Sequence, residues 1–347
     1  MRSAITRYKL RKLLKYALVT FAVAWVFNIF SGEYFEAKQL AWLLLGLWTG
    51  VLEEFLFGRR FRTLALPLQF LGKVLAINLL SLVLFLLAWK VGREHWLPVP
   101  SSGSETVAQL LSQISFYRFL VRVVVVTSIA LLVVQVEELM GRRMFLSFLF
   151  GAYEKPKAEE RIVLSMDLVG STALAERLGD LRYFRFLNKT HSLMTDAVLR
   201  NEAYIHKYIG DEVIFTWRMR RGLAQQNCLD LYFDIRDRIA ANESDLLREF
   251  GVVPRFRAAI HGGWVITARI GHIKRAIDFS GDVMNSVSRM LGLCKQLDAD
   301  LLVSSALLAR IPNVNERFKI GPEHIVPVRG RRREVRVHAA ERLVKPA

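Results

Sequence analysis

At 347 residues the chain has room for about two domains, and its halves differ in kind: roughly the first 140 residues are dominated by Leu, Val, Ala, Phe and Trp, and the rest is an ordinary soluble mixture. The formal net charge of +17 could suggest nucleic acid, but much of it lies between hydrophobic runs, where a bilayer accounts for it more simply. No nucleic-acid partner is therefore expected, and the two cysteines, Cys228 and Cys294, read as reduced packing residues of the soluble half.

Four hydrophobic runs, at 16–30, 40–57, 64–89 and 120–140, each approach the roughly 20 residues that span a bilayer core and predict an all-α four-helix transmembrane domain over 1–140. Arg2, Arg7, Lys9, Arg11, Lys12 and Lys15 precede the first run, Arg59, Arg60 and Arg62 separate the second from the third, and Arg142 and Arg143 follow the fourth. The other two connections carry no such excess, so the positive-inside rule predicts a multi-pass protein of a bacterial inner or plasma membrane with both termini cytoplasmic. A cleaved signal peptide is disfavoured, because no small-residue cleavage site follows Ile29-Phe30 and three more runs come after it. Glu53, Glu54, Arg118, Arg122, Glu137 and Glu138 lie in or near the span ends and are expected to snorkel, whereas Lys73 is left open between snorkelling and a buried network. His95 is the only histidine of this half, which argues against a bis-histidine haem.

Residues 141–160 form a linker with a basic and apolar start, including Met144, Phe145, Phe148 and Leu149, suited equally to transmitting a change in membrane packing or to lying on lipid. Pro156 breaks the chain before the soluble domain, 161–347. Its first element, 161–167, reads as a buried strand ending in Asp167 and running into the small-residue turn Leu168-Val169-Gly170-Ser171-Thr172. Exposed N–H groups at such a helix start suit a phosphate, and the adjacent carboxylate can hold Mg²⁺ against it. A helix is predicted over 181–200. Next comes a hairpin whose Gly210-Asp211 turn sits between two β-forming runs, with Lys207 on one side. A long helix over 222–250 follows, then strands at 255–260 and 264–270, a helix carrying Asn285 and Arg289 on one face, and short strands at 301–303, 318–320 and 335–339. The layout is α+β and ferredoxin-like.

Three independent segments now stand in order: the strand-Asp-turn at Asp167, Lys-x-x-Gly-Asp from Lys207 to Asp211, and Asp-x-x-Gly-x-x-x-Asn-x-x-x-Arg from Asp278 to Arg289. In this order and spacing they resemble the catalytic domain of class III nucleotidyl cyclases, over roughly residues 158–342. The resemblance implies an adenylate cyclase converting ATP to 3′,5′-cyclic AMP and pyrophosphate. Two Mg²⁺ or Mn²⁺ ions per site, roughly 4 Å apart, would be held by Asp167 and Asp211 with Leu168 beside them. Val169, Gly170, Ser171 and Thr172 would cradle the triphosphate, Arg289 would stabilise charge on the α-phosphate, and Asn285 would orient the ribose. Lys207 and Asp278 would read adenine. Arg329 and Arg331 fall near a phosphate-contacting lysine of the family, although a solvated basic hairpin fits them equally well. The resemblance also implies a head-to-tail homodimer, with the metal aspartates of each site on one protomer and Lys207, Asp278, Asn285 and Arg289 on the other. The expected partners are ATP, a second copy of the chain and membrane lipid. A diguanylate cyclase is disfavoured by Lys207 and the Asp278–Arg289 segment. A non-catalytic nucleotide-binding receptor is disfavoured because every mapped catalytic position is present.

Overall fold

The computed structural model describes residues 2–31, 39–57, 65–95, 114–141, 145–146, 149–273, 275–326 and 334–343. They belong to two units, Met1–Phe150 and Gly151–Ala347. Arg59, Arg60, Arg62, Arg142, Arg143, Arg329 and Arg331 lie outside the described residues.

The first unit contains helices α1 (Arg2–Ser31), α2 (Gln39–Leu56), α3 (Leu66–His95) and α4 (Ile114–Met140), one at each predicted hydrophobic run. Among the described residues two stretches are long and apolar enough to cross a membrane, Thr6–Phe30 and Tyr117–Met140, and the apolar stretch Pro67–Val83 is shorter. Tyr16, Leu52, Ile77, Leu131 and Val134 meet inside. Helices α1 and α2 approach closely: a Cβ at Gly46 would lie 2.6 Å from Ala17 Cα and 2.8 Å from the Tyr16 carbonyl oxygen, and one at Gly50 would lie 3.2 Å from Tyr16 Cβ. Two glycines four apart thus let one backbone lie against another, as at small-residue interfaces between membrane helices. Gly46→Leu should force these helices apart and cost about 1–3 kcal/mol, read as a lower melting temperature of the full chain in detergent; an unchanged melting temperature would refute the close packing.

Among the described residues, Glu53, Glu54, Glu137 and Glu138, placed at span ends by the sequence, are each paired with a lysine. Lys73 Nζ donates to Glu53 at 2.6 Å with both side chains buried. Lys12 pairs with Glu138 at 2.9 Å, Lys15 with Glu137 at 3.2 Å and Lys9 with Glu54 at 2.9 Å. Because α1 starts at Arg2, the three lysines stand on the helix itself and not before it. For Lys73 and Glu53, both buried, pairing replaces the solvation that each charge loses on entering a low-dielectric interior.

Among the described residues the second unit is built on eight strands: β1 (Lys157–Leu168), β2 (Tyr204–Ile209), β3 (Glu212–Arg218), β4 (Phe256–Ile270), β5 (Ala276–Ser280), β6 (Leu301–Ser304), β7 (Phe318–Val326) and β8 (Val335–Arg342). Their order is β2-β3-β1-β4-β6-β8-β7, with β5 paired to β4. The β2-β3-β1-β4 portion is antiparallel throughout, the strand order of the ferredoxin-like layout, and β4 and β6 run parallel. Helices α5 (Ser171–Leu178) and α6 (Asp180–Arg200) join β1 to β2, and α7 (Met219–Leu223), α8 (Asn227–Ala240) and α9 (Glu243–Phe250) lie between β3 and β4. Helix α10 (Asp282–Leu293) follows β5, and α11 (Ser305–Leu308) follows β6.

Alternate side chains of β1 separate two cores. Ile162, Leu164, Met166 and Leu168 pack with Phe186 and Met194 of α6 and Leu229 and Phe233 of α8. Val163 packs on the other side with Val283, Val287 and Met290 of α10. The middle of the strand is covered on both faces, so Ile162, Val163 and Leu164 follow one another without polar alternation. Cys228 and Cys294 are buried in these cores, their thiols pushed up to about 12 by burial, which suits packing and not redox chemistry.

Several boundaries differ from the sequence reading. β1 begins at Lys157, because Glu159 and Glu160 are paired with Arg161 and Arg310 and can stay within a strand. The helix expected over 222–250 is divided, since Gln225 and Gln226 adopt positive φ angles of 53° and 60° and a second break falls before Glu243. The two strands expected at 255–260 and 264–270 are one. Its Gly262 and Gly263 continue the ladder opposite Ile162 and Arg161, and their missing side chains make room for neighbours: added Cβ atoms would meet Leu307 at 2.9 Å and Val283 at 3.0 Å. β5 was not anticipated.

Candidate active site

The pairing of β1 with β3 ends at Met166–Val213, which brings Asp167, next along β1, beside the turn between β2 and β3. That turn is Gly210-Asp211, closed by the Ile209–Glu212 pair, with Gly210 at a φ of 62° that glycine adopts without strain. Asp167 is half-buried. Burial first, then the neighbouring Asp211 carboxylate, raises it to about 6, and the two lie close enough to share a hydrogen bond. Asp211 Oδ2 is buried and, among the described residues, meets no donor. Glu212 beside it accepts from the Ser165 hydroxyl. From α6, His191 sets its ring 4.8 Å from that of Tyr208, and burial holds it below its ordinary value.

Two crowded carboxylates, one with a buried oxygen lacking a donor, fit a divalent cation. Among the described residues no group of three or more His, Cys, Asp or Glu side chains could hold a metal. A cation at this pair would keep positions open for phosphate oxygens, the pattern that Mg²⁺ favours.

The turn after Asp167 is only partly available for an anion. The Val169 N–H donates to the Arg255 carbonyl at 2.9 Å. Gly170, at a φ of 72°, leads into α5, and no side chain caps that helix. The amides of its first turn are the kind that bind phosphate. Ser171 is hydrogen-bonded to Tyr183, tying the turn to α6, and Thr172 is exposed. Leu168 ends β1 and is buried, opposite Phe256.

Lys207 and Asp278, 71 residues apart, come together on β2 and β5: Lys207 Nζ donates to both carboxylate oxygens at 3.0 Å. His206 Nε2 is 2.8 Å from Asp278 Oδ1, and the Phe279 amide donates to the same oxygen at 2.9 Å. Burial pushes Asp278 upward, but these hydrogen bonds and the Lys207 charge outweigh it and hold the carboxyl below its ordinary value. His206 escapes a sequence reading because period two sends neighbours of a strand to opposite faces. Asn285 and Arg289 are exposed on α10, and among the described residues neither hydrogen-bonds to the Asp167–Asp211 pair or to the Lys207–Asp278 pair.

Residues 153–341 match the family described as Adenylate and Guanylate cyclase catalytic domain. The chain is 44% identical over 201 residues to adenylate cyclase 2 of Rhizobium meliloti (strain 1021), covering 58% of this chain and 55% of that protein. It is 27% identical over 160 residues to an adenylate cyclase of Anabaena cylindrica, covering 43% of this chain and 30% of that one. The chain thus spans about half or less of the length of these curated relatives. Among solved structures, a bacterial light-regulated adenylyl cyclase superposes with a TM-score of 0.51 at 17% identity, over 66% of this chain and 64% of that one, a likeness of fold. The matched span takes in both the carboxylate pair and the Lys207–Asp278 pair, and the chain belongs to the adenylate and guanylate cyclase catalytic domain family.

Proposed function

We propose that the chain is a membrane-anchored adenylate cyclase that forms 3′,5′-cyclic AMP and pyrophosphate from ATP at sites shared by a homodimer. The observation that carries this reading is the Asp167–Asp211 pair: two carboxylates held together at one strand end, with one oxygen buried and without a donor. Such an arrangement is costly unless a cation completes it. Two divalent ions held there, Mg²⁺ or Mn²⁺, would lower the pKa of the ribose 3′-hydroxyl and neutralise the departing pyrophosphate. In the reaction the 3′-oxygen bonds to the α-phosphorus, the bond from that phosphorus to the β-phosphate oxygen breaks, and the hydroxyl proton is released. Uncapped amides at the start of α5 support the phosphates, Arg289 offers charge to the α-phosphate, and Asn285 orients the ribose. Lys207 and Asp278 read the adenine edge, and the resemblance of both to the ATP-using pattern agrees with the 44% identity to adenylate cyclase 2.

Membrane anchoring by four spans is supported by inverted exposure in the first unit. On α3, Leu68, Leu71, Leu75 and Leu79 are exposed while Lys73 and Ile77 are buried. An apolar outer face over a polar interior suits lipid. By the charge pattern between spans, both termini lie in the cytoplasm.

The test is turnover of ATP and of GTP by the purified full-length chain in detergent with Mg²⁺ or Mn²⁺, products identified by mass. Cyclic AMP from the parent and a loss of at least about 100-fold in Asp211→Ala are expected. Equal turnover in the variant would refute the assignment of the carboxylate pair.

A further inference from the structure

We propose that His206 is a positioning residue for base recognition, holding Asp278 so that one carboxylate oxygen is left to accept from an exocyclic amine. The inference rests on the assignment of Lys207 and Asp278 to the base.

The first observation is a β-bulge. Ile205 pairs with Phe215 and Lys207 with Ile214, so a single step on β3 is matched by two on β2, and His206 is the extra residue. In a regular strand His206 and Lys207 would project to opposite faces; the bulge brings both side chains to the same carboxylate. His206 Nε2 reaches Asp278 Oδ1 at 2.8 Å and Lys207 Nζ reaches it at 3.0 Å.

The second observation is the unequal occupation of the two oxygens. Among the described residues Oδ1 faces three donors, from the His206 ring, Lys207 and the Phe279 amide, whereas Oδ2 takes Lys207 alone, at 3.0 Å. A carboxylate oxygen offers about two lone pairs. Oδ1 is therefore saturated, and Oδ2 keeps one acceptor direction for a ligand. Because an ionised carboxylate can only accept, the His206 proton sits on Nε2.

The third observation is that the imidazole is held in place. Its side chain is 5% exposed, and its ring stacks on that of Phe279 with centroids 4.2 Å apart. Phe279 belongs to the smaller core and lies beneath the Arg161 guanidinium at 5.0 Å, which is itself bonded to Glu159 at 2.6 Å. The acceptor direction at Oδ2 is thus fixed by packing that extends into the sheet.

The chemical consequence is discrimination. Adenine presents an amino group and an unprotonated ring nitrogen, matching an acceptor at Oδ2 beside the Lys207 donor. Guanine presents a carbonyl oxygen and an N–H, which sets acceptor against acceptor. With His206 removed, Asp278 is held by Lys207 and one amide, and its carboxylate can turn to take the guanine N–H.

The test compares kcat/KM for ATP and GTP in the full-length protein. His206→Phe keeps the ring stacked on Phe279 and removes both nitrogens, and should reduce the ATP:GTP ratio by about 10-fold or more. His206→Gln, whose amide nitrogen reaches the place of Nε2, should keep the ratio within about threefold of the parent. A purely structural role would lower both substrates together and leave the ratio unmoved. Should His206→Phe not accumulate folded, His206→Asn gives the same reading, because its amide is too short to reach Asp278. An unchanged ratio in the folded variant, alongside a collapsed ratio in Asp278→Ala, would overturn the role of His206 alone. An unchanged ratio in Asp278→Ala would overturn the base assignment, and this inference with it.

Discussion

Cells that co-express the Asp167→Ala and Asn285→Ala chains are expected to regain cyclase activity that neither chain shows alone. Asp167 sits at the end of β1 beside Asp211, while Asn285 stands exposed on α10 and, among the described residues, makes no hydrogen bond to that pair. If each site takes its carboxylates from one protomer and its α10 residues from the other, a mixed dimer has one doubly damaged site and one intact site. Each single variant should lose about 100-fold or more. Random mixing makes half the dimers mixed, each with one working site, so recovery should approach about a quarter of the parent rate. Absence of recovery in verified mixed dimers would mean that all these residues serve one protomer's site.

Mg²⁺ is expected to raise the melting temperature of the catalytic unit strongly at pH 7.5 and weakly at pH 5. Asp167 is held near 6 by burial and by Asp211, above the ordinary carboxyl value of 3.8. Between those values the folded chain keeps a proton that the unfolded chain has released, so without metal this group makes the fold less stable as pH rises through that window. A cation must displace the same proton, and its binding therefore strengthens as pH passes 6. At a hundredfold excess over Kd the stabilisation is about 2.7 kcal/mol, or roughly 5–10 °C for a unit of this size. Asp211→Asn should abolish the response and, by removing the like charge, leave the metal-free protein at least as stable as the parent at pH 7.5. A Mg²⁺ shift that persists in Asp211→Asn, or that does not grow with pH, would remove the pair as the cation site.

The stretch from Lys207 to Asp211 shows how far local sequence reaches. Gly210-Asp211 between two β-forming runs specifies a tight turn by backbone sterics alone, and the structure has the two-residue loop there. The apolar residues Ile162, Val163 and Leu164 within β1 likewise announce a buried strand, and the hydrophobic first half announces helices. His206, one residue before Lys207, was not legible, because its direction depends on a bulge set by pairing with β3. Gly262-Gly263 resembled a break for a similar reason: their role is to admit Leu307 and Val283, residues distant in sequence. The partner of the Val169 amide, the Arg255 carbonyl, likewise lies far along the chain.

By itself the sequence determined what short-range sterics and hydrophobic periodicity control: a helical apolar half, a mixed α and β soluble half, a carboxylate at the end of a buried strand and another on a hairpin turn. Only the tertiary structure decided that Asp167 and Asp211 crowd one another, that Lys9, Lys12, Lys15 and Lys73 are matched to glutamates on other helices, and that Asp278 is gripped by both His206 and Lys207. Those outcomes rest on strand register and desolvation, which depend on residues far apart in the chain and leave no periodic trace along it.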